Sequence, residues 1–254
     1  MPLTYHAGVT NRPTDPWQGG PADADVGVLL VHGFTGNPAS LLPLGEHLAA
    51  TGFRVDIPLL PGHGTTWQDM ARTTWPQWYG EAERAYVALA ATCRAVVVVG
   101  LSMGGSLALR LAERHDVAGV VLVNPSVGSR DPKMKLLPVL SRIVPSLPAI
   151  GDDIAKPGVS EHAYDRTPLR AAVSLMALWR DVTANLRQVT APVLLFRSVT
   201  DHVVDPSSAV TILRSVSSAE RTEHLLQRSY HVATLDHDAD EIATLTEAFI
   251  RRHT

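Results

Sequence analysis

Ser102 stands in the run Val96-Val97-Val98-Val99-Gly100-Leu101-Ser102-Met103-Gly104-Gly105-Ser106. Four β-branched residues lead into a glycine–x–serine–x–glycine turn, and the apolar stretch Leu107-Ala108-Leu109-Arg110-Leu111-Ala112 follows. A serine at the apex of such a strand–turn–helix is a nucleophile elbow. The glycines relieve crowding in the tight turn, and the helix that starts there points its positive end at the hydroxyl. Serine becomes a working nucleophile only when a base takes its proton and hydrogen-bond donors stabilise the oxyanion formed on its target.

His231, in Arg228-Ser229-Tyr230-His231-Val232-Ala233-Thr234, is the candidate base. An acid that orients it belongs between serine and histidine in chain order for this kind of turn. Asp201 fits, because Val193-Leu194-Leu195-Phe196-Arg197 reads as a strand that runs on into an acidic loop. In these roles His231 takes the Ser102 proton and returns it to the leaving group, while Asp201 fixes the imidazole tautomer and stabilises its cation. His202 and His237 are rival bases. Asp205 is the nearest rival acid, and Asp236 and Asp238 read as residues at the start of the last helix. For the oxyanion, the Met103 N–H supplies one donor. Phe34, in the glycine-bracketed loop His32-Gly33-Phe34-Thr35-Gly36, supplies the other. His32 reads as a brace for that loop. His63, in Pro61-Gly62-His63-Gly64, reads as structural, since no ligand partner stands at metal spacing. No metal site is expected.

Each of these groups needs a strand end to hold it. Short apolar runs, Val26–Val31, Phe53–Leu60, Ala95–Gly100, Val117–Val123, Val193–Arg197 and His224–Gln227, alternate with helical patterns near Ala39–Ala50, Thr74–Thr92, Met103–Glu113, Pro206–Ser215 and Ala239–Arg251. Continuous Val/Leu runs are the mark of strands covered on both faces. Their alternation with helices predicts an α/β fold: a doubly wound, mostly parallel sheet whose sites lie past the strands' carboxyl ends. The aromatic set Trp67, Trp75, Trp78, Tyr79 and Tyr86 reads as packing between a helix and that sheet. From Gly128 to Ala184 the rhythm stops. Prolines 132, 138, 145, 148, 157 and 168 break this stretch into what read as short helices without a strand. A structureless loop of that length is rare in a compact domain. The expectation is a small helical cap at 128–184, inserted late in a core made of 1–127 and 185–254.

The 254-residue chain is 45% hydrophobic and 19% charged, with a net charge of −3 and no basic block. Nucleic acid is therefore not an expected partner. The single cysteine, Cys93, excludes an internal disulfide and a multi-cysteine metal site. The opening residues lack a signal-peptide pattern, and no run of about 18 apolar residues occurs. The expected location is the cytoplasm.

The assembled motifs resemble the α/β-hydrolase superfamily along essentially the whole chain, and more narrowly the small capped bacterial carboxylesterases and monoacylglycerol lipases. The residues that carry the resemblance are His32-Gly33-Phe34-Thr35-Gly36, Pro61-Gly62-His63-Gly64, Gly100-Leu101-Ser102-Met103-Gly104-Gly105, Asp201-His202-Val203-Val204 and Ser229-Tyr230-His231-Val232-Ala233-Thr234. The resemblance implies a cofactor-free serine hydrolase that acts on ester or lipid substrates through an acyl-enzyme, with a mobile cap forming the lipid-side pocket. It also implies that Glu161 binds the glycerol hydroxyls of a monoacylglycerol, and it makes Ile150, Leu140 and Val144 candidates for the acyl tunnel wall. An apolar cap could touch a membrane surface weakly, and oligomeric state is left open. Acyl transfer or C–C bond hydrolysis on the same residues, and a non-catalytic receptor that keeps the fold, are the competing readings. A dehalogenase or epoxide hydrolase would need aspartate in place of Ser102.

Overall fold

The computed structural model describes residues 14–149 and 151–254. Among them, seven strands form one sheet. In chain order these are β1 (Trp17–Gly19), β2 (Val26–Val31), β3 (Arg54–Ile57), β4 (Ala95–Leu101), β5 (Gly119–Val123), β8 (Val193–Ser198) and β9 (Arg221–Leu226), and they are arranged in space as β1-β3-β2-β4-β5-β8-β9. Only β1 runs antiparallel to its neighbour; every other pairing in the sheet is parallel. Strands β6 (Ser146–Pro148) and β7 (Arg166–Pro168) form a separate antiparallel ribbon.

Within each central strand the side chains alternate between two apolar layers, as a period of two requires. Leu29, Val31, Val96, Val98, Val120 and Leu122 join one layer. Val28, Leu30, Val97, Val99, Val121 and Val123 join the other. The first layer is covered by α3 (Trp75–Ala90), α4 (Met103–Ala112), α6 (Leu169–Asn185) and α7 (Ser207–Ser215). The second is covered by α1 (Leu42–Ala50) and α8 (Ala239–His253). Trp78, Tyr79 and Tyr86 are buried in the first layer, so the packing expected of these aromatics is present.

The chain winds outward from β2 in both directions, to β3 on one side and β4 on the other. Such a switch point opens a crevice at the carboxyl ends of the two diverging strands. Val31 is level with Gly100 in the parallel register, so the loop after β2 runs beside Ser102.

The stretch 128–184 differs from expectation in two respects. It contains the β6–β7 ribbon, whose strands are only three residues long and each contain a proline, which hides a strand signal and is tolerated in so short a ribbon. It also ends in one long helix, α6, rather than a row of short ones. The helix-breaking prolines all precede Leu169, and Ala171, Ala172, Leu175, Leu178 and Val182 then repeat at helical spacing. That helix packs on α3 and α4 within the sheet's own apolar layer. The part of 128–184 that stands apart from this layering is the segment before it, with a 3-10 turn at Pro132–Leu136, the one-turn helix α5 (Leu137–Leu140) and the ribbon.

Among the described residues, no helix is long and apolar enough to cross a membrane. The remaining α-helix among them is α2 (Trp67–Met70), capped by the Thr66 hydroxyl.

Candidate active site

Ser102 sits at φ 55°, ψ −117°, a strained conformation for a residue with a Cβ. Its surroundings hold it there. Its N–H donates to the Val123 carbonyl at 3.0 Å, and its own carbonyl accepts the N–H groups of Gly105 at 2.9 Å and Ser126 at 3.1 Å. The flanking glycines are required by space: a Cβ on Gly100 would stand 2.2 Å from the Gly104 carbonyl oxygen. Met103, the first residue of α4, follows Ser102 directly and is fully buried. A Cβ on Gly33 would lie 3.3 Å from the Ser102 Cβ, so the loop bearing Phe34 passes directly alongside.

That loop is braced from behind. The buried His32 donates from Nδ1 to its neighbour's carbonyl at Gly33 (3.0 Å), and its Nε2 accepts the Leu60 N–H (3.2 Å). His63 packs edge-on against both His32 and Trp78, and Trp78 against Phe34. Burial depresses His32 to a pKa of about 4 and His63 to about 3, so both rings are neutral at pH 7. Neither is positioned as a base for Ser102, in keeping with the structural roles read for them.

The His231 Nδ1 and Asp201 Oδ2 atoms are 2.8 Å apart. The other Asp201 oxygen accepts the N–H groups of Val203 and Val204, each at 2.8 Å. Burial alone would raise the Asp201 carboxyl. The bond and charge of His231 and those two N–H groups outweigh it and hold the group below its ordinary value. A carboxylate can only accept, so Nδ1 is the donor, and in the neutral ring Nε2 carries the lone pair a base needs. Asn124, at φ 44°, ties the two loops together: it accepts the Ser198 N–H and donates to the Ser198 hydroxyl and the His231 carbonyl.

The rivals are occupied elsewhere. Asp205 accepts the Ser207 N–H at the start of α7. The His202 Nδ1 pairs with Asp153 at 2.7 Å, and His237 is exposed. Asp238 is the N-cap residue of α8, as expected of a residue at the helix start, but its side chain makes no capping bond. Asp238 instead accepts the Arg228 N–H and guanidinium. Asp236 accepts the N–H groups of Ala155, Lys156, Tyr230 and His237. These buried carboxylates meet donors that the chain brings from a distance, and that demand exceeds the one a helix start would make.

Ser102, Phe34, Glu161 and His231 line one cavity of about 340 Å³. Glu161 is half-buried; its carboxylate accepts the Asp152 N–H, and a Cβ on Gly36 would lie 3.5 Å from its Oε2. Burial raises the Glu161 carboxyl above its ordinary value, against the attraction of His231. Apolar lining comes from Met134, Leu137, Leu147, Leu169, Leu175 and Trp179. Leu140 and Val144, expected in the acyl wall, are half-buried and do not line the cavity. They follow Leu137 by one and two turns in a segment too short and broken for periodicity to pick its inner face. Ile150 lies outside the described residues.

Residues that sequence reasoning missed pin the Glu161 segment to the core. The Asn37 amide donates to the Glu161 and His162 carbonyls, and the Tyr164 hydroxyl donates to the Gly62 carbonyl and accepts the Thr65 N–H. Asn37 directly follows the glycine-bracketed loop 32–36, which is the only cue the sequence offers.

A family model described as serine aminopeptidase, S33 matches residues 22–238. A thermostable monoacylglycerol lipase from Bacillus sp. (strain H-257) is 41% identical over 236 residues, covering 90% of this chain and 91% of that protein. A carboxylesterase from Bacillus subtilis (strain 168) is 26% identical over 217 residues, covering 85% and 88%. The solved structure described as LipS and LipT, metagenome-derived lipolytic enzymes, matches with a TM-score of 0.91 at 36% identity, covering 95% of this chain and 98% of its own. A soluble variant of monoglyceride lipase from Saccharomyces cerevisiae shares the fold, with a TM-score of 0.80 at 17% identity and 99% coverage of both chains. With an elbow serine, an aspartate and a histidine just past the ends of β4, β8 and β9 in a doubly wound sheet, this chain belongs to the serine aminopeptidase S33 family of α/β-hydrolases.

Proposed function

We propose that the chain is a serine hydrolase that cleaves carboxylic esters, with monoacylglycerols or short-to-medium-chain acyl esters as its substrates. His231 takes the Ser102 proton as the hydroxyl attacks the ester carbonyl, and the imidazolium is stabilised by Asp201. The tetrahedral oxyanion is held by the N–H groups of Phe34 and Met103. The intermediate collapses, and the alcohol leaves with the proton from His231. Water, deprotonated by the same imidazole, then releases the acid from acyl-Ser102. No cofactor is needed for these steps.

The observation that carries the substrate reading is Glu161, a carboxylate in the same cavity as Ser102 and His231, set among apolar walls. Such a wall suits an acyl chain, and the carboxylate suits the hydroxyls of a polyol alcohol. The 41% identity to a monoacylglycerol lipase supports the same choice. C–C bond cleavage, or acyl transfer between partners that are not polyols, would use the same triad but would give Glu161 no such partner. The test is a panel of acyl lengths crossed with alcohols, including mono-, di- and triacylglycerols. Turnover highest for 1-monoacylglycerols supports the reading. Turnover equal for methyl and glyceryl esters of one acid would overturn the glycerol assignment.

Residues 128–168 form the cap in this reading, and the cap meets lipid weakly. Met134 and Leu137 line the cavity, while Leu136, Val139 and Ile143 are 64%, 67% and 79% exposed beside the exposed Lys133, Lys135 and Arg142. Apolar side chains rimmed by cations suit an anionic lipid surface. Sedimentation with anionic vesicles that Ile143→Ser abolishes supports this; equal sedimentation of both proteins would refute it.

A further inference from the structure

We propose that Asp153 is a positioning residue that holds the candidate base and the candidate acid in register with one another. It lies in the segment that carries Glu161, in line with neither histidine nor aspartate in sequence, and its side chain is only 10% exposed. Its Oδ2 accepts the backbone N–H of His231 at 3.1 Å and the backbone N–H of His202, the residue after Asp201, at 3.2 Å. Its Oδ1 accepts from the His202 Nδ1 at 2.7 Å, and its carbonyl accepts the Val232 N–H at 3.1 Å. One carboxylate therefore spans the backbones of the loops that present the base and the acid, on top of the direct His231–Asp201 bond.

The base loop returns the contact. Asp236 accepts the N–H groups of Ala155 at 2.7 Å and Lys156 at 3.0 Å. Each segment thus gives a carboxylate to the amides of the other. The His202 ring also packs edge-on against Tyr230, at 4.8 Å between centroids, which adds a second tie between the acid and base loops.

The need for such a brace follows from the topology. Asp201 and His231 sit on loops after different strands, β8 and β9, and nothing in the strand register fixes the loops themselves. A misplacement of about 1 Å in a catalytic group can cost on the order of 100-fold in rate. The brace must accept three N–H bonds and donate none, which is what a carboxylate does. Asparagine keeps one acceptor oxygen for the two backbone amides, and its NH₂ can face the other tautomer of the His202 ring. Alanine keeps nothing.

The proposal rests on His231 and Asp201 being base and acid. The test uses the full chain, p-nitrophenyl butyrate, and titration of active serines with a fluorophosphonate, so that kcat is expressed per titrated site. Asp153→Ala should lose about 10- to 100-fold in kcat per titrated site, with KM within about threefold. Asp153→Asn should stay within about fivefold of the wild type. A purely structural role would reduce the number of titratable sites and leave kcat per site unchanged. A value for Asp153→Ala within twofold of the wild type overturns the proposal. If Asp153→Ala yields too little folded protein, Asp153→Ser, with one short acceptor, is read against the same limits. A His231→Ala variant that keeps kcat per titrated site within twofold of the wild type would instead overturn the underlying base-and-acid reading, so the two failures are distinguishable.

Discussion

His231 donates from Nδ1 to Asp201 Oδ2 across 2.8 Å, although 30 positions of chain separate them. That bond decides which imidazole nitrogen faces the cavity. Asp201→Asn would offer an amide that can donate to Nδ1 and so favour the wrong tautomer. The expected loss in kcat is about 10³- to 10⁴-fold, with KM little changed. Asp205→Asn, at the rival acid, should keep kcat within about threefold. Hydrolysis of p-nitrophenyl butyrate by the two variants checks the assignment, and the reverse ranking would move the acid to Asp205. Ser102→Ala should lower the same activity by about 10⁶-fold.

Glu161→Ala is expected to separate binding of the alcohol from binding of the acyl chain. Turnover of 1-monolauroylglycerol should fall about 10- to 100-fold, while methyl laurate should change by no more than about twofold. Equal losses on both esters would remove the polyol contact from Glu161.

Gly104 has no room for a side chain. A Cβ there would stand 1.9 Å from the Val31 carbonyl oxygen and 2.8 Å from that of His32, and both are backbone atoms that cannot swing aside. Gly104→Ala should destabilise the chain by about 3 kcal/mol or more and displace β2 and the loop that follows it. Urea unfolding measures the loss; a midpoint equal to wild type would contradict the packing described.

Buried neutral histidines make folding sensitive to acid. His63 has a folded pKa of about 3 against 6.5 when free. The unfolded chain therefore takes up this proton as pH falls below 6.5, and the folded chain does not until about 3. Stability from this residue is present above 6.5 and is lost on the way down, by about 1.4 kcal/mol per pH unit. His32, at about 4, acts in the same direction. Glu113, raised by burial to about 7, acts oppositely, because its folded form holds a proton that the unfolded form has released. The informative quantity is thus a difference: between pH 6 and 4, stability of His63→Phe should fall less steeply than the wild type by about one proton. Parallel slopes would place the sensitivity elsewhere.

The elbow geometry of Ser102, its strand and its glycines were legible in the sequence because they lie within a few residues of one another and obey local sterics. A Val-rich run into Gly-Leu-Ser-Met-Gly leaves little choice of backbone, and the observed Ala95–Leu101 strand and Met103 helix start follow it closely. The strand-end positions of Asp201 and His231 were legible for a related reason, since a parallel sheet collects successive carboxyl ends on one edge.

What only the tertiary structure decided lies in the segment before α6. Prolines and single turns there carry no dependable period, so Leu137 and Leu147 line the cavity where Leu140 and Val144 were expected. The segment is placed by hydrogen bonds whose partners stand far away in sequence: Asn37 to His162, Tyr164 to Gly62, Asp236 to Ala155 and Asp153 to His231. An aspartate or asparagine reads the same on a solvent-facing loop as it does in such a contact. Its meaning appears only once the backbone amides that it must satisfy have been brought to it.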